Sequence, residues 1–264
     1  MVLLYVKTVI LRSTSIELDL NYLMPEILNF LQDVLDKLPP ILPFFMGATY
    51  FGVETEQSEG AQSMTVTTRF TVMFWAYVPD TSESGVFMNN GAEAGNIGYA
   101  VGVGSGTAAT DGNEFVSVLP GVAWQDYNVN IGTGWHHLCI SQDGTTIRGY
   151  VDGVVSASTY VASATGTPGI LETNSELNDP GGSFGFASRA AIALLKMWRR
   201  ELSQQEIETE MNSYWPRLHL DKLASFHPFD EFGSTQNRDY SQVTNNTLTM
   251  AAGVTFGHPP PVTR

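Results

Sequence analysis

This sequence is poor in the groups that drive most covalent and redox chemistry. Cys139 is the only cysteine among 264 residues. No internal disulfide can form, and its place in an apolar strand reads as a small packed residue rather than a reactive thiol. That usage fits a reducing site of synthesis better than a secreted scaffold. His136-His137 is the only histidine pair, and neighbours on a strand point to opposite faces, so the two cannot hold one metal ion. No Gly-x-Ser-x-Gly elbow is present for a nucleophilic serine. The run Gly102-x-Gly104-x-Gly106 opens no predicted helix and so lacks the context of a dinucleotide site. Positive charge is also scarce: 13 Lys and Arg stand against 27 Asp and Glu, giving a net charge of -14 and a pI near 4.6. A phosphate backbone would be repelled, so direct nucleic-acid binding is not expected. The apolar stretch 41–46, ILPFFM, is too short and too broken by proline to span a membrane. The amino terminus has an apolar run without a basic region before it or a small-residue cleavage site after it, which makes a poor secretion signal.

What is present points to sheets. Hydrophobic residues make up 43% and charged residues only 15% of the chain, which excludes a disordered polymer. At the centre, Trp135 to Ser141, Thr146 to Val151 and Val154 to Ser158 read as three strands joined by the turns Asp143-Gly144 and Asp152-Gly153. Asp-Gly suits tight hairpins because glycine takes positive φ without a Cβ clash. Further short strands are expected at Ser63 to Thr68, Phe70 to Val78, Gly85 to Asn89, Gly98 to Val103, Glu114 to Leu119, Asn128 to Ile131, Ser183 to Ala187 and Ile192 to Trp198. Ser203-x-x-Glu206 is a capping box that opens a short helix reaching about Asn212. Many short strands with loop signals between them argue for an all-β antiparallel sandwich.

The first 46 residues differ from the rest. Val2 to Leu11 is a continuous apolar run, and a helix follows in which Met24, Ile27, Leu28, Leu31, Val34, Leu35 and Leu38 form one stripe. Such a stripe fits a helix lying on its own domain or a seam between subunits. The expected organisation is an arm, 1–46, used for assembly or docking, and a sandwich, 47–264.

Trp135-His136-His137, a short strand, Asp-Gly, then Arg148-x-Tyr150-Val151-Asp152-Gly153 resembles the core of laminin G-like domains of the concanavalin A-like jelly roll. Phe70 to Val78 is similar to the family's early strand, and Ala191 to Ile207 to its late strand and Leu-Ser-x-x-Glu-Ile helix. The segment Leu223 to Glu231, with Asp239 to Asn246 and Leu248 to Met250, resembles the signature that commonly opens such domains, although here it comes last. The carboxyl end is therefore expected to complete its own sheet or a neighbour's.

The resemblance implies a jelly roll and raises two ligand classes. Glycoside hydrolases of this fold use two facing carboxylates, often Glu-x-Asp-x-x-Glu on one strand. No such run exists, and Glu54, Glu56, Glu59, Glu172 and Glu176 read as solvated loop residues, so no enzyme is expected. Calcium binding, common at one rim of the family, would fall to Asp111 and Asn113, though an Asx turn explains the same residues. Trp124, Tyr127 and Asn128 are the candidates for a glycan surface, with core packing as the alternative. The leading expectation is a structural protein of a viral (phage) particle. It would sit on the virion surface as a homo-oligomer, a trimer favoured, decorating or cementing a capsid through its arm and touching the major capsid protein. The alternative is a carbohydrate-binding adhesin or receptor-binding module.

Overall fold

The computed structural model describes residues 49–50, 58–63, 68–82, 85–92, 97–104, 112–119, 122–161, 170–173, 191–230, 236–241, 246–250 and 255–256. The apolar stripe from Met24 to Leu38, Asp111 and the strand expected at Ser183 to Ala187 lie outside them.

The strands among the described residues form two antiparallel sheets. The first is built from β3 (Phe70–Val78), β8 (Gly134–Gln142), β9 (Thr146–Val151), β10 (Val154–Val161) and β12 (Ala191–Trp198), in the order β10-β9-β8-β3-β12. Beyond β12 the edge is shared. Its amino-terminal half pairs with β1 (Thr49–Tyr50) and its carboxyl-terminal half with β13 (Leu223–His227), while β16 (Thr255–Phe256) pairs with β1. The second sheet is built from β2 (Ser58–Ser63), β4 (Gly85–Ala92), β5 (Ile97–Gly104), β6 (Glu114–Leu119), β7 (Val122–Asn130), β11 (Ile170–Thr173), β14 (Gln236–Asn237) and β15 (Leu248–Met250), in the order β14-β15-β2-β11-β4-β5-β6-β7. The carboxyl end thus supplies strands to both sheets of its own chain.

Alternation explains the layers. Phe70, Val72, Phe74, Ala76 and Val78 of β3 enter the core between the sheets with Phe87, Val101, Val103, Phe115, Leu138, Ile140 and Leu171. Burying each such side chain contributes roughly 1.5 to 3 kcal/mol. The opposite face of β3 is also covered, because Met73 packs with Cys139, Leu194, Trp198, Leu202, Ile207, Tyr214 and Phe226 under the one described α-helix, α1 (Gln204–Met211). Cys139 is fully buried and its thiol is held well above its ordinary pKa by that burial, as expected of a packed rather than reactive cysteine.

The central hairpins form where the Asp-Gly pairs place them. Asp152 and Gly153 both take positive φ, 52° and 80°, which is the two-residue turn that matches strand twist. The Asp152 carboxylate fixes it by accepting from the His137 backbone N–H at 2.8 Å and from His136 Nδ1 at 2.9 Å. The two histidines part as the strand period requires: His136 is half-buried at the turn, while His137 is buried with its ring edge-on to Trp75. At the other turn Asp143 accepts from the backbone of Thr145 and Thr146 and from Arg148.

Three hydroxyls clasp the sandwich along one side. Ser156 donates to the Tyr127 carbonyl, the Tyr160 hydroxyl to the Asp126 carbonyl, and Asn128 Nδ2 to the Ser158 hydroxyl. These bonds tie β10 to β7, the edges of opposite sheets, and occupy groups that an open edge would offer to another chain.

Candidate functional site

Tyr127 does not belong to a glycan surface. It is 0% exposed, stacks on Phe115 at 4.9 Å, and shares a hydrogen bond with the Ser117 hydroxyl at 2.9 Å. A Cβ on Gly149 would come within 2.7 Å of that ring, so the glycine of the Arg-Gly-Tyr-Val run is what admits it. Asn128, next in the chain, is exposed with φ 54° and takes an Asx turn to Asp126. Trp124 pairs with Val118, and Asp126 with Val116, which puts both register positions on the outer face of the second sheet, opposite to Tyr127. The three residues therefore do not converge.

Along that outer face the register aligns Thr249, Glu59, Glu172, Asn89, Ala100, Val118 and Trp124 in one cross-strand row. Glu59 and Glu172 are strand residues at facing positions, which corrects the reading of them as loop residues. Val86, Ala100 and Val116 form a small buried cluster on the same face.

Asn113 is committed to the backbone. Its Oδ1 accepts from Gly132 N–H at 2.5 Å, and its own carbonyl accepts from Ile131 N–H at 2.8 Å. This is how it joins two loops. Among the described residues no group of three or more His, Cys, Asp or Glu side chains is placed to hold a metal ion.

The structure instead gathers exposed aromatic and cationic groups on the connector between α1 and β13. The connector is pinned to the first sheet from both sides. Lys196, buried in the middle of β12, donates through Nζ to the carbonyls of Glu210 at 2.7 Å and Ser213 at 2.6 Å and to the Glu210 carboxylate at 3.1 Å. Burial lowers the Lys196 pKa to about 8 against the opposing pull of Glu210. The other Glu210 oxygen accepts from the backbone N–H groups of Arg217 and Leu218 at 2.7 and 2.6 Å. Trp198 Nε1 donates to the Leu218 carbonyl at 3.0 Å.

On this base stands a group of four rings. Tyr214 and Phe226 are buried; Trp215 and Tyr240 are 46% and 40% exposed, with ring centroids 5.8 Å apart and planes at 78°. Trp215 rests edge-on against Phe226 at 5.4 Å. Two aspartates of the carboxyl-end signature fix the arrangement. Asp230 accepts from the Tyr214 hydroxyl, and Asp239 accepts from the backbone N–H groups of Phe226, Ser241 and Asn246. Tyr240 lies between two of those anchors and its own N–H donates to the Phe226 carbonyl. The result is an open, right-angled aromatic corner.

Farther along the connector is a cleft of about 270 Å³ lined by Arg69, Arg200, Glu201, His219, Asp221 and Lys222. The expected capping box is present, with Glu206 Oε2 accepting from Ser203 N–H at 2.7 Å. Its second oxygen reaches His219 Nε2 at 2.5 Å, and His219 Nδ1 meets Arg200 Nη1 at 2.7 Å. Burial opposes ionisation of Glu206, but the bonds from His219 and Ser203 and the charge of Arg200 outweigh it and hold the pKa down to about 2. The helix cap thereby orients a cleft wall. Sequence reasoning finds the cap from its spacing, whereas the partner at His219 comes from packing between segments and leaves no local signal.

A family model described as the concanavalin A-like lectin/glucanases superfamily matches residues 51–208. Among curated proteins none matches this chain. Among solved structures, a proposed carbohydrate binding protein from Bacteroides ovatus ATCC 8483 is 14% identical with a TM-score of 0.63, over 82% of this chain and 60% of that one. The chain thus spans somewhat under two thirds of that protein. The native heptameric SAP-like pentraxin of Limulus polyphemus is 15% identical with a TM-score of 0.55, over 80% of this chain and 94% of the pentraxin.

Proposed function

We propose, from the premise that the chain belongs to the concanavalin A-like lectin/glucanases superfamily, that it is a non-catalytic carbohydrate-binding jelly roll whose ligand stacks on Trp215 and Tyr240. The observation that carries this reading is the exposure of those two rings at a fixed right-angled corner. A soluble domain gains nothing in stability by leaving a tryptophan half in water, and a rigid aromatic face beside polar groups is suited to the apolar face of a sugar ring. The carbohydrate binding named for the Bacteroides ovatus protein agrees with it. Among the described residues, a non-catalytic role is favoured by the carboxyl groups whose ionisation the surroundings move. Asp143, Asp152 and Glu206 all shift downward, whereas an acid that protonates a glycosidic oxygen needs its pKa raised. A glycan array probed with the wild type and with Trp215→Ala tests the proposal. Specific signals lost in the variant are expected; signals of equal strength in both would refute the assignment to this corner.

The arm carries a second proposal. Met24, Ile27, Leu28, Leu31, Val34, Leu35 and Leu38 supply an apolar stripe that a closed sandwich does not require, and a seam between subunits or a docking face on a viral capsid would bury it. That role belongs to a decorating protein at a virion surface. Leu31→Asp would place an unpaired carboxylate in such a seam. Sedimentation is then expected to show a smaller species than the wild type, and an unchanged oligomeric mass would dismiss the seam.

A further inference from the structure

We infer that the aromatic corner takes one sugar residue, held by its face on one ring and by its rim on the other, and not a run of residues along a flat chain. The inference rests on the carbohydrate reading above and adds the form in which the sugar is recognised: a single residue, such as a chain end or a branch presents. Its first ground is the angle. Neighbouring residues of an extended, ribbon-like polysaccharide offer their apolar faces in parallel planes, so a site that stacks two of them needs two rings that share a plane. The planes of Trp215 and Tyr240 are inclined by 78°, with centroids 5.8 Å apart. Trp215 also meets Tyr214 at 5.2 Å and 71° and Phe226 at 5.4 Å and 68°. These are the edge-on arrangements that the ring quadrupole favours, and Tyr214 is itself held through its hydroxyl by Asp230. Turning Trp215 into the plane of Tyr240 would break the edge-on contact between them and disturb the other two.

The second ground is extent. Among the described residues Trp215 and Tyr240 are the only exposed aromatic side chains, the other exposed large hydrophobics being Val154, Val155, Val161 and Leu220. Phe226 and Tyr214, which complete the group of four rings, are buried. The corner is thus one ring wide in each direction, and among the described residues no third exposed ring extends it into a row for a neighbouring sugar.

The third ground is fit. Favourable nonbonded contact sets carbon atoms roughly 3.5 to 4 Å apart. A sugar ring at that height over one of two planes at near right angles turns its rim toward the other, so a single ring fills the angle and touches both.

Series of increasing chain length decide the matter. The net charge of -14 disfavours anionic chains, so neutral series serve. The methyl glycosides of glucose, galactose, mannose, xylose and N-acetylglucosamine are each set against the β-1,4-linked disaccharide, tetrasaccharide and hexasaccharide and titrated calorimetrically into the full chain. The expected result is at least one series in which the hexasaccharide binds less than tenfold tighter than the monosaccharide, and in which Trp215→Ala and Tyr240→Ala each weaken the monosaccharide tenfold or more. Tyr240→Phe keeps the ring and is expected to bind as the wild type does. A gain of tenfold or more along every series that binds would overturn the inference, because several residues would then be held. Either alanine variant lowering the monosaccharide affinity by less than tenfold would also overturn it, as would a tenfold loss in Tyr240→Phe, which would assign binding to the hydroxyl. Length-dependent binding that disappears in Trp215→Ala would remove this inference and leave the carbohydrate reading standing. No binding in any series would remove both.

Discussion

The meander β8–β10 and the connector from Asn212 to Lys222 use the same residue types to opposite ends. In the meander the turn aspartates and the hydroxyls of Ser156 and Tyr160 serve the backbone. Asp143 and Asp152 hold turns, the serines and Tyr160 of β10 clasp β7, and Trp135 packs edge-on against Tyr77 at 5.7 Å. In the connector the backbone is held by buried groups of the sheet and helix, Lys196, Trp198 and Glu210. Trp215, Arg217 and Lys222 of the connector are thereby left facing outward. Where turns consume the polar groups a region is scaffold; where the sheet supplies the anchors, the surface is available for a ligand.

The sharpest way to break this contrast is to remove the anchor. Lys196→Met leaves the buried Glu210 carboxylate without its counter-charge and takes the Nζ donor from the Ser213 carbonyl, a loss expected at about 3 to 5 kcal/mol. Urea denaturation measures it. A variant as stable as the wild type would mean that the connector is held by other contacts.

Acid acts next. Burial lowers the pKa of His227 to about 4, and burial with the nearby Lys196 charge lowers that of His137 to about 3. Both folded values lie below the ordinary 6.5, so the unfolded chain binds these protons first. The stability they contribute is complete above pH 6.5 and is lost as pH falls from 6.5 through about 4 and then 3, on the order of a few kcal/mol in all. His136, raised by its bond to Asp152, works in the opposite sense and contributes below 6.5. Denaturation midpoints between pH 7 and pH 4 are expected to fall, and to fall less steeply in His227→Gln. Parallel slopes for the two proteins would contradict the assignment.

Smaller effects separate scaffold from surface. Gly149→Ala forces a methyl group into the stacked Tyr127 and Phe115 rings and is expected to cost roughly 1 to 3 kcal/mol. Tyr240→Ala, on the exposed corner, is expected within about 1 kcal/mol of the wild type. Thermal melts of the pair check the order, and a reversal would place the corner in the core.

Much of the scaffold is legible without coordinates because its signals are local. Alternation places β3 at Phe70–Val78 and β6 at Glu114–Leu119, the Asp-Gly pairs place the hairpins, and Ser203 with Glu206 places α1. Legibility ends where partners are distant. β7 begins at Val122 rather than near Asn128, because Gln125 and Asp126 interrupt its apolar pattern while β6 holds it by register. β2 runs from Ser58 to Ser63, upstream of the apolar alternation, since β11 and β15 define it from either side. β11 is four residues long and offers too little pattern to read. Trp124, Tyr127 and Asn128 look like a surface because they are neighbours in sequence, yet strand alternation and the gap at Gly149 send Tyr127 inward. Trp215 and Tyr240 are distant in sequence and meet only because Asp239 folds the carboxyl-end strands back onto β13.

The central claim is that a sugar stacks on Trp215. Amide and indole N–H resonances of uniformly labelled protein, followed while the tightest array ligand is titrated, test it most directly. The account predicts that the Trp215 indole resonance shifts in a saturable way and that Trp215→Ala weakens binding by about 2 kcal/mol or more, roughly 30-fold. Shifts confined to the meander or to the outer face of the second sheet, with the Trp215 indole unmoved at saturation, would contradict it.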